Sequence, residues 1–466
     1  MCFGKVNNKI DCRERVAHGV TIRISVVSEN PPSSFAPDVA EQLIRLKLTA
    51  FKICLLLAVA LPATAQITEE SAKEDMEPEI GEEEAIESDS DGSLDDAINS
   101  IDVIEVPDGV GLSADVRIGY FESEIDERDA TSQTEDLIAS RWRFRTEAKM
   151  APHLRAVGRI AGICSNVECS PNLVLEDSIP TTNGMSDGDI TIDEGYFHWF
   201  RLDRFDLALG RLQTKFVARG GVFAKSLDRN DSNNINVNWT DGLHATFGGK
   251  NSWVPHLILQ HNSPNGASNV RRGPLDFDDS GARVSYFFGT ESLKRTRLFL
   301  QRGVDISYLP KSLLKDGSLS GRREDYYGIV VRTANRWPER DEGIRLRVAA
   351  ELGYAPETQT RTTAGLVGDG DADGLAWNVV LSLMDFKPNH SIGVNYGRVG
   401  AGWLLSPQFR QNESLAEIRY QWRKSRQLAF DFRIRQRKEL EQMALTVGSR
   451  EELDVFLRLT WGGSFK

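Results

Sequence analysis

The sequence predicts an all-β protein, a transmembrane antiparallel β-barrel of about 16 strands (about 14–18 being possible) with short periplasmic turns and long external loops. Three observations carry this prediction. Segments with alternating apolar and polar side chains recur over most of the chain, and the connections between them alternate between very short and long. An export signal is followed by no apolar run long enough for a membrane helix, so a mature chain that lives in a membrane must cross it with strands.

Residues 1–44 show no usable periodicity and read as an over-extended start. From Arg45 to Gln66 the chain runs RLKLTAFKICLLLAVALPATAQ, a basic stretch, an apolar core from Ile53 to Leu61 and the small residues Ala63-Thr64-Ala65. Residues 45–65 therefore read as a secretory signal peptide. Cys54 lies inside the apolar core and not at the cleavage point, which argues against a lipoprotein anchor.

The next stretch, 66–110, holds 17 acidic residues and one basic residue. Such a composition buries too little apolar surface to offset ordering and reads as a flexible periplasmic segment, with a short helix conceivable over 94–104. The formal charge of -12 belongs to this early part, because residues 111–466 carry 47 Lys and Arg against 46 Asp and Glu.

From 111 to 466 the strand period dominates. In RWRFRTEAKM, Arg141, Arg143, Arg145, Glu147 and Lys149 alternate with Trp142, Phe144, Thr146, Ala148 and Met150. An extended chain points these two sets to opposite faces, one for lipid and one for an aqueous lumen. Leu112 to Tyr120, Ile344 to Tyr354, Leu375 to Leu383, Leu428 to Arg435 and Leu453 to Trp461 repeat the pattern. The segments 189–200 and 235–247 break parity or are weak. Tight connections at 151–153, 202–204, 387–389 and 424–426 interleave with polar ones at 163–188, 211–241, 262–280, 309–325, 355–373 and 438–451. Trp142, Tyr120, Tyr354 and Trp461 are candidates for an interfacial aromatic girdle.

On this parity the lumen face is rich in arginine. The pore-lining candidates are Arg117, Arg141, Arg143, Arg145, Arg155, Arg159, Arg345, Arg347, Arg433 and Arg435, and basic residues outnumber acids there roughly twofold. Such a surface concentrates anions unless the arginines are spent on cross-strand carboxylates. The longest connection, 211–241, follows the fifth segment and carries Lys215, Arg219, Lys225 and Arg229 around Gly220-Gly221. Folded inward it would form a constriction loop; lying over the mouth is the alternative. Cys164 and Cys169 are the two cysteines left after the signal and are expected to form a local disulfide in an oxidising compartment.

The body resembles Gram-negative outer-membrane porins, and most of all the phosphate-selective porin O and P family. The resemblance rests on DEGYFHWF (193–200), FDLALGRLQTKF (205–216), EIRYQWRKSRQLAFDFRIRQRKE (417–439) and LDVFLRLTWGGSF (453–465). It implies a trimeric passive diffusion channel whose third loop folds inward, with Lys215, Arg219, Lys225 and Arg229 at the constriction. It also implies engagement of the barrel-assembly machinery through the C-terminal strand, although Lys466 follows Phe465 where such barrels usually finish on an aromatic residue.

Other chemistry is not indicated. GDGDADG at 368–374 begins like a calcium loop, but the twelfth position from Asp369 is Val380 and not Glu. His198, His244, His256, His261 and His390 lack metal-ligand spacing, and neither a G-x-S-x-G elbow nor a P-loop occurs. The expectation is a non-enzymatic outer-membrane protein of a Gram-negative bacterium, without cofactor, metal or nucleic-acid partner. It would pass small hydrophilic solutes, with a preference for anions such as phosphate or other oxyanions, through outer-membrane lipid. The alternatives are a non-conducting anchor or adhesion barrel and an exporter of acidic polysaccharide.

Overall fold

The computed structural model describes residues 9–15, 21–27, 110–175, 187–201, 205–231, 237–248, 253–262, 273–277, 283–294, 296, 299–317, 323–338 and 343–465. The signal peptide at 45–65, the conceivable helix at 94–104 and the acidic segment up to residue 109 lie outside them. The chain divides into two units, Met1–Ala85 and Ile86–Lys466.

In the first unit β1 (Lys9–Arg15) pairs antiparallel with β2 (Thr21–Val27), Lys9 opposite Val27 and Arg15 opposite Thr21. This corrects the expectation of no periodicity in that stretch. Ile22, Ile24 and Val26 alternate with Thr21, Arg23 and Ser25, which is strand period.

The second unit is a closed barrel. Its strands are β3 (Val110–Asp126), β4 (Ser132–Ala151), β5 (Leu154–Ser165), β7 (Asp189–Arg201), β8 (Phe205–Leu212), β9 (Thr240–Phe247), β10 (Trp253–His261) and β11 (Val284–Ser292). Then come β12 (Gln301–Leu314), β13 (Arg323–Trp337), β14 (Arg345–Tyr354), β15 (Leu375–Lys387), β16 (His390–Val399), β17 (Glu413–Arg423), β18 (Leu428–Glu439) and β19 (Glu451–Phe465). These 16 strands pair antiparallel with their sequence neighbours, and β19 closes the ring on β3 from Leu112 opposite Phe465 to Asp126 opposite Glu451. A two-residue strand, β6 (Asn172–Leu173), adds parallel to β7. Closure leaves no sheet edge and pairs the backbone polar groups between neighbours, which is what a strand protein needs in hydrocarbon.

The expected face assignment holds along the strands. Phe144, Phe197, Phe288, Ile329, Leu352 and Ile418 point outward and are 38–57 % exposed, while the residues between them are turned to the lumen and mostly buried. Charges are rare on the outer face because a cation at the bilayer midplane costs about 2–4 kcal/mol there. Tyr354 and Trp461 also face outward, and Trp142 lies over Gly162, where any side chain would strike its ring.

The connections separate by end. The turns after β4, β7, β15 and β17 are short, and the connections after β5, β8, β10, β14, β16 and β18 are long. One external connection, 127–131 after β3, is itself short, so the alternation is less strict than the sequence suggested. Among the described residues no helix is long and apolar enough to cross a membrane. The core of this unit is the lumen, where loops pack against the inner wall.

Candidate functional site: the lumen and its inward loop

One sector of the wall, formed by β18, β19, β3, β4, β5 and β7, is an arginine–carboxylate lattice. Asp115 takes Arg141 at 2.8 Å and Arg117 at 3.5 Å. Asp193 takes Arg143 at 2.7 Å and both sides of the Arg159 fork at 2.8 and 2.9 Å. Glu194 takes Arg159 at 2.9 Å and Arg145 at 3.2 Å, and Glu147 takes Arg155 at 2.7 Å. On β18, Arg433 and Arg435 share Asp454 of β19 at 2.9 and 2.6 Å. Planar guanidinium forks meet several carboxylates at once, which explains why arginine and not lysine fills this wall.

The lattice depends on a backbone irregularity. The pairing of β5 with β7 slips between Arg159 opposite Glu194 and Ile160 opposite Ile192, so Asp193 is an extra residue in β7. A bulge of this kind re-aims side chains. It turns Asp193 and Glu194 to the lumen together, both buried, and accounts for the parity break at 189–200.

The connection after β8 runs inward across the lumen and is anchored on the far wall. Its backbone meets Gln301 of β12, which accepts from Arg219 N at 2.8 Å and donates to Val217 O at 3.0 Å. Gly220 and Gly221 touch β15. A methyl on Gly220 would lie 2.7 Å from Val380 Cγ1, and Gly221, at φ +85°, lies as close to Ser382 and Met384. The pair therefore packs closely on the opposite wall and is not a free hinge. Further on, Arg419 of β17 donates to Val222 O at 3.1 Å, Lys225 Nζ reaches Glu417 at 2.7 Å, and Trp403 Nε1 donates to Leu227 O at 2.9 Å.

At its return the loop is held by Arg332 of β13, whose guanidinium meets Asp228 of the loop at 3.0 Å, Asp305 at 2.5 Å and Glu351 at 3.2 Å. Apolar side chains add to the polar contacts: Ala218, Val222 and Phe223 pack on Ala334, Ala349, Val380 and Met384, and Phe216 packs on Ile258 and Phe287.

A second connection, 400–412 after β16, also folds in and was missed from the sequence. Trp403, Leu404, Leu405 and Phe409 are buried with Leu227 against β12 to β17. AGWLLSPQF reads as an apolar run and not as a polar loop, so the signal for a loop was absent.

The ten arginines of the predicted lining all stand on lumen-facing positions, but most are covered. Arg117, Arg141, Arg143, Arg347 and Arg433 are at most 3 % exposed, and Arg159 and Arg345 are each 7 % exposed, with Arg345 paired to Asp385. Arg145, Arg155 and Arg435 keep partial exposure.

The charged groups of the four basic residues in the inward loop divide three buried and one not. Lys225 and Arg229 are buried, Arg229 donating to Gln260 at 2.8 Å, Thr240 at 3.1 Å and Thr214 at 3.2 Å. Lys215 and Arg219 alternate with the wall-facing Thr214, Phe216 and Ala218, but the Lys215 Nζ is itself buried, so Arg219 alone of the four presents its charge on the less buried face. No ion pair of the Arg219 guanidinium is seen among the described residues. Burial pulls the Lys225 ammonium down to about 8 against the opposing pull of Glu417. Cys164 and Cys169 are disulfide-bonded with Cα atoms 4.5 Å apart, at the external end of β5.

Parity reading also missed acids. Asp305 sits between Val304 and Ile306 on β12 and was legible by alternation, whereas Asp193, Glu194 and Asp228 depend on the bulge and the loop. With them the lumen is nearer charge balance than the twofold basic excess expected.

No family model matches the sequence, and no curated protein matches it. Among solved structures the chain is similar to OprB of Pseudomonas putida, with a TM-score of 0.52 and 12 % identity over 76 % of this chain and 94 % of that one. OccAB3 of Acinetobacter baumannii (TM-score 0.48, 9 % identity, 76 % and 99 % covered) and OccK8 (OprE) of Pseudomonas aeruginosa (0.47, 11 %, 77 % and 98 %) align less well. The fold is that of a porin-like barrel. The closed ring and its apolar outer belt place the protein in the outer membrane.

Proposed function

We propose that this barrel is a passive channel for small hydrophilic solutes, that the loop between β8 and β9 sets its narrowest section, and that it prefers anions. The observation that carries the reading is the loop itself. It is pinned to the far wall by Gln301, Arg332, Glu417 and Arg419 while Arg219 stays on its less buried face. A cation held by a fixed backbone at a constriction favours anionic permeants, and phosphate or another oxyanion would suit a guanidinium. Arg145, Arg155 and Arg435 would extend that surface along the wall; the covered arginines would act as the lattice that fixes their positions. Association into a homotrimer and recognition of β19 by the barrel-assembly machinery belong to the same reading.

The test is the reversal potential of purified protein in a planar bilayer under a KCl gradient. Discrete current steps with reversal toward the chloride potential support the proposal. Steps without anion preference would remove the selectivity and keep the channel. Folded barrel without current would favour an anchor or adhesion role.

A further inference from the structure

We propose that His244 of β9 and His256 of β10 form a lumen site for a divalent transition-metal ion of the zinc class, seated beneath the inward loop. The two residues stand diagonally on the lumen face, because His244 pairs with Ile258 and His256 with Thr246 across the β9–β10 ladder. His244 Nε2 lies 3.2 Å from His256 Nδ1, and Thr246 Oγ1 lies 3.4 and 3.3 Å from these two nitrogens. Ligands of one tetrahedral zinc ion sit about 2.0–2.1 Å from it and therefore about 3.3–3.4 Å apart, so the two imidazole nitrogens have close to the spacing of two ligands of one ion, with the Thr246 hydroxyl beside them.

A second observation concerns the far side of His256. Its Nε2 is buried with no hydrogen-bond partner among the described residues and faces Glu291 Oε1 at 3.8 Å. A carboxylate there favours the proton on Nε2 and turns the Nδ1 lone pair toward His244, the arrangement that ligating histidines usually have. Glu291 is in turn held by Gln301 Nε2 at 3.3 Å, the same side chain that grips the loop at Val217 and Arg219. Phe216 of the loop covers both rings edge-on, at 5.1 Å from His256 and 6.1 Å from His244. Among the described residues no three His, Cys, Asp or Glu side chains converge on one point, so water would complete the shell and exchange of the ion would be fast.

The experiment is calorimetric titration of the tag-free, folded barrel with zinc sulfate, with heat-modifiable gel migration as the check of folding. Wild type takes up about one ion per chain. His244→Gln and His256→Gln lose that uptake, Glu291→Gln weakens it about tenfold or more, and His153→Gln and His390→Gln leave it unchanged. Absence of uptake by wild type, or uptake unaltered in both ligand variants, overturns the site and leaves a plain hydrogen-bonded histidine pair. Cobalt absorption on wild-type protein gives a readout that needs no variant: an intense visible band of a tetrahedral complex supports the site, and the weak hexaaqua spectrum alone refutes it. Neither readout depends on conduction.

Discussion

Two sectors of the same wall are built on opposite principles. From β18 through β19 and β3 to β7 the inner face is ionic, and its arginines satisfy carboxylates on neighbouring strands. From β13 to β16 the inner face offers space. A methyl on Gly353 would lie 2.8 Å from Trp403, one on Gly393 2.7 Å from Phe223 and one on Gly397 2.6 Å from Phe409. The first sector holds itself together, whereas the second is a socket for two loops. Charges repeated on adjacent strands can share partners, but a socket has one fitting occupant, so damage should spread in the first and concentrate in the second.

The sharpest test of that contrast compares two buried arginines. Arg332 in the socket sector is the ion-pair partner that joins loop Asp228 to Asp305 and Glu351, and Arg332→Met leaves these carboxylates buried together. A loss of about 3–5 kcal/mol is expected in urea unfolding from lipid vesicles. Arg159→Met in the ionic sector should cost less, about 1.5–3 kcal/mol, because Arg143 and Arg145 still reach Asp193 and Glu194. Equal losses would erase the distinction.

Gly393→Val fills the socket where Phe223 and Val222 sit, with an expected penalty of about 1–3 kcal/mol. Single-channel recording should show larger and noisier currents as the loop is pushed off the wall; unchanged current would mean that the loop does not define the narrowest section. Arg219→Gln should change stability by no more than about 0.5 kcal/mol and yet move the reversal potential toward cation preference. A shift from Arg155→Gln and none from Arg219→Gln would relocate selectivity from the loop to the wall.

The smallest effect concerns pH. With the Lys225 pKa pulled down to about 8, the folded chain releases that proton before an unfolded lysine would. The unfolded state then binds more protons above about 8, so this group's contribution to stability rises from there toward the ordinary lysine range. Anion preference moves the other way, because the lumen loses a positive charge. Reversal potentials at pH 7 and 9 should differ slightly in wild type and differ less in Lys225→Met.

Much of this was readable from residues alone, because alternation in strands such as RWRFRTEAKM reports the face on which each side chain lies. What could not be read depends on departures from that period. Asp193 beside Glu194 looks like a flaw in the pattern until the bulge gives both the same face. Gly220-Gly221 suggests a hinge, and its real use is contact with β15. The buried seat of AGWLLSPQF is a matter of shape fitting across the lumen, which no local period encodes.

The inward loop also has a mechanical meaning. It starts and ends on β8 and β9 and is fastened to β12, β13, β15 and β17, so it acts as a strut across the ring. A tube braced at one level resists flattening there and yields at its unbraced rims. Lateral squeezing by the bilayer would therefore be taken up at the rims, and the braced section would keep its dimensions in membranes of different thickness.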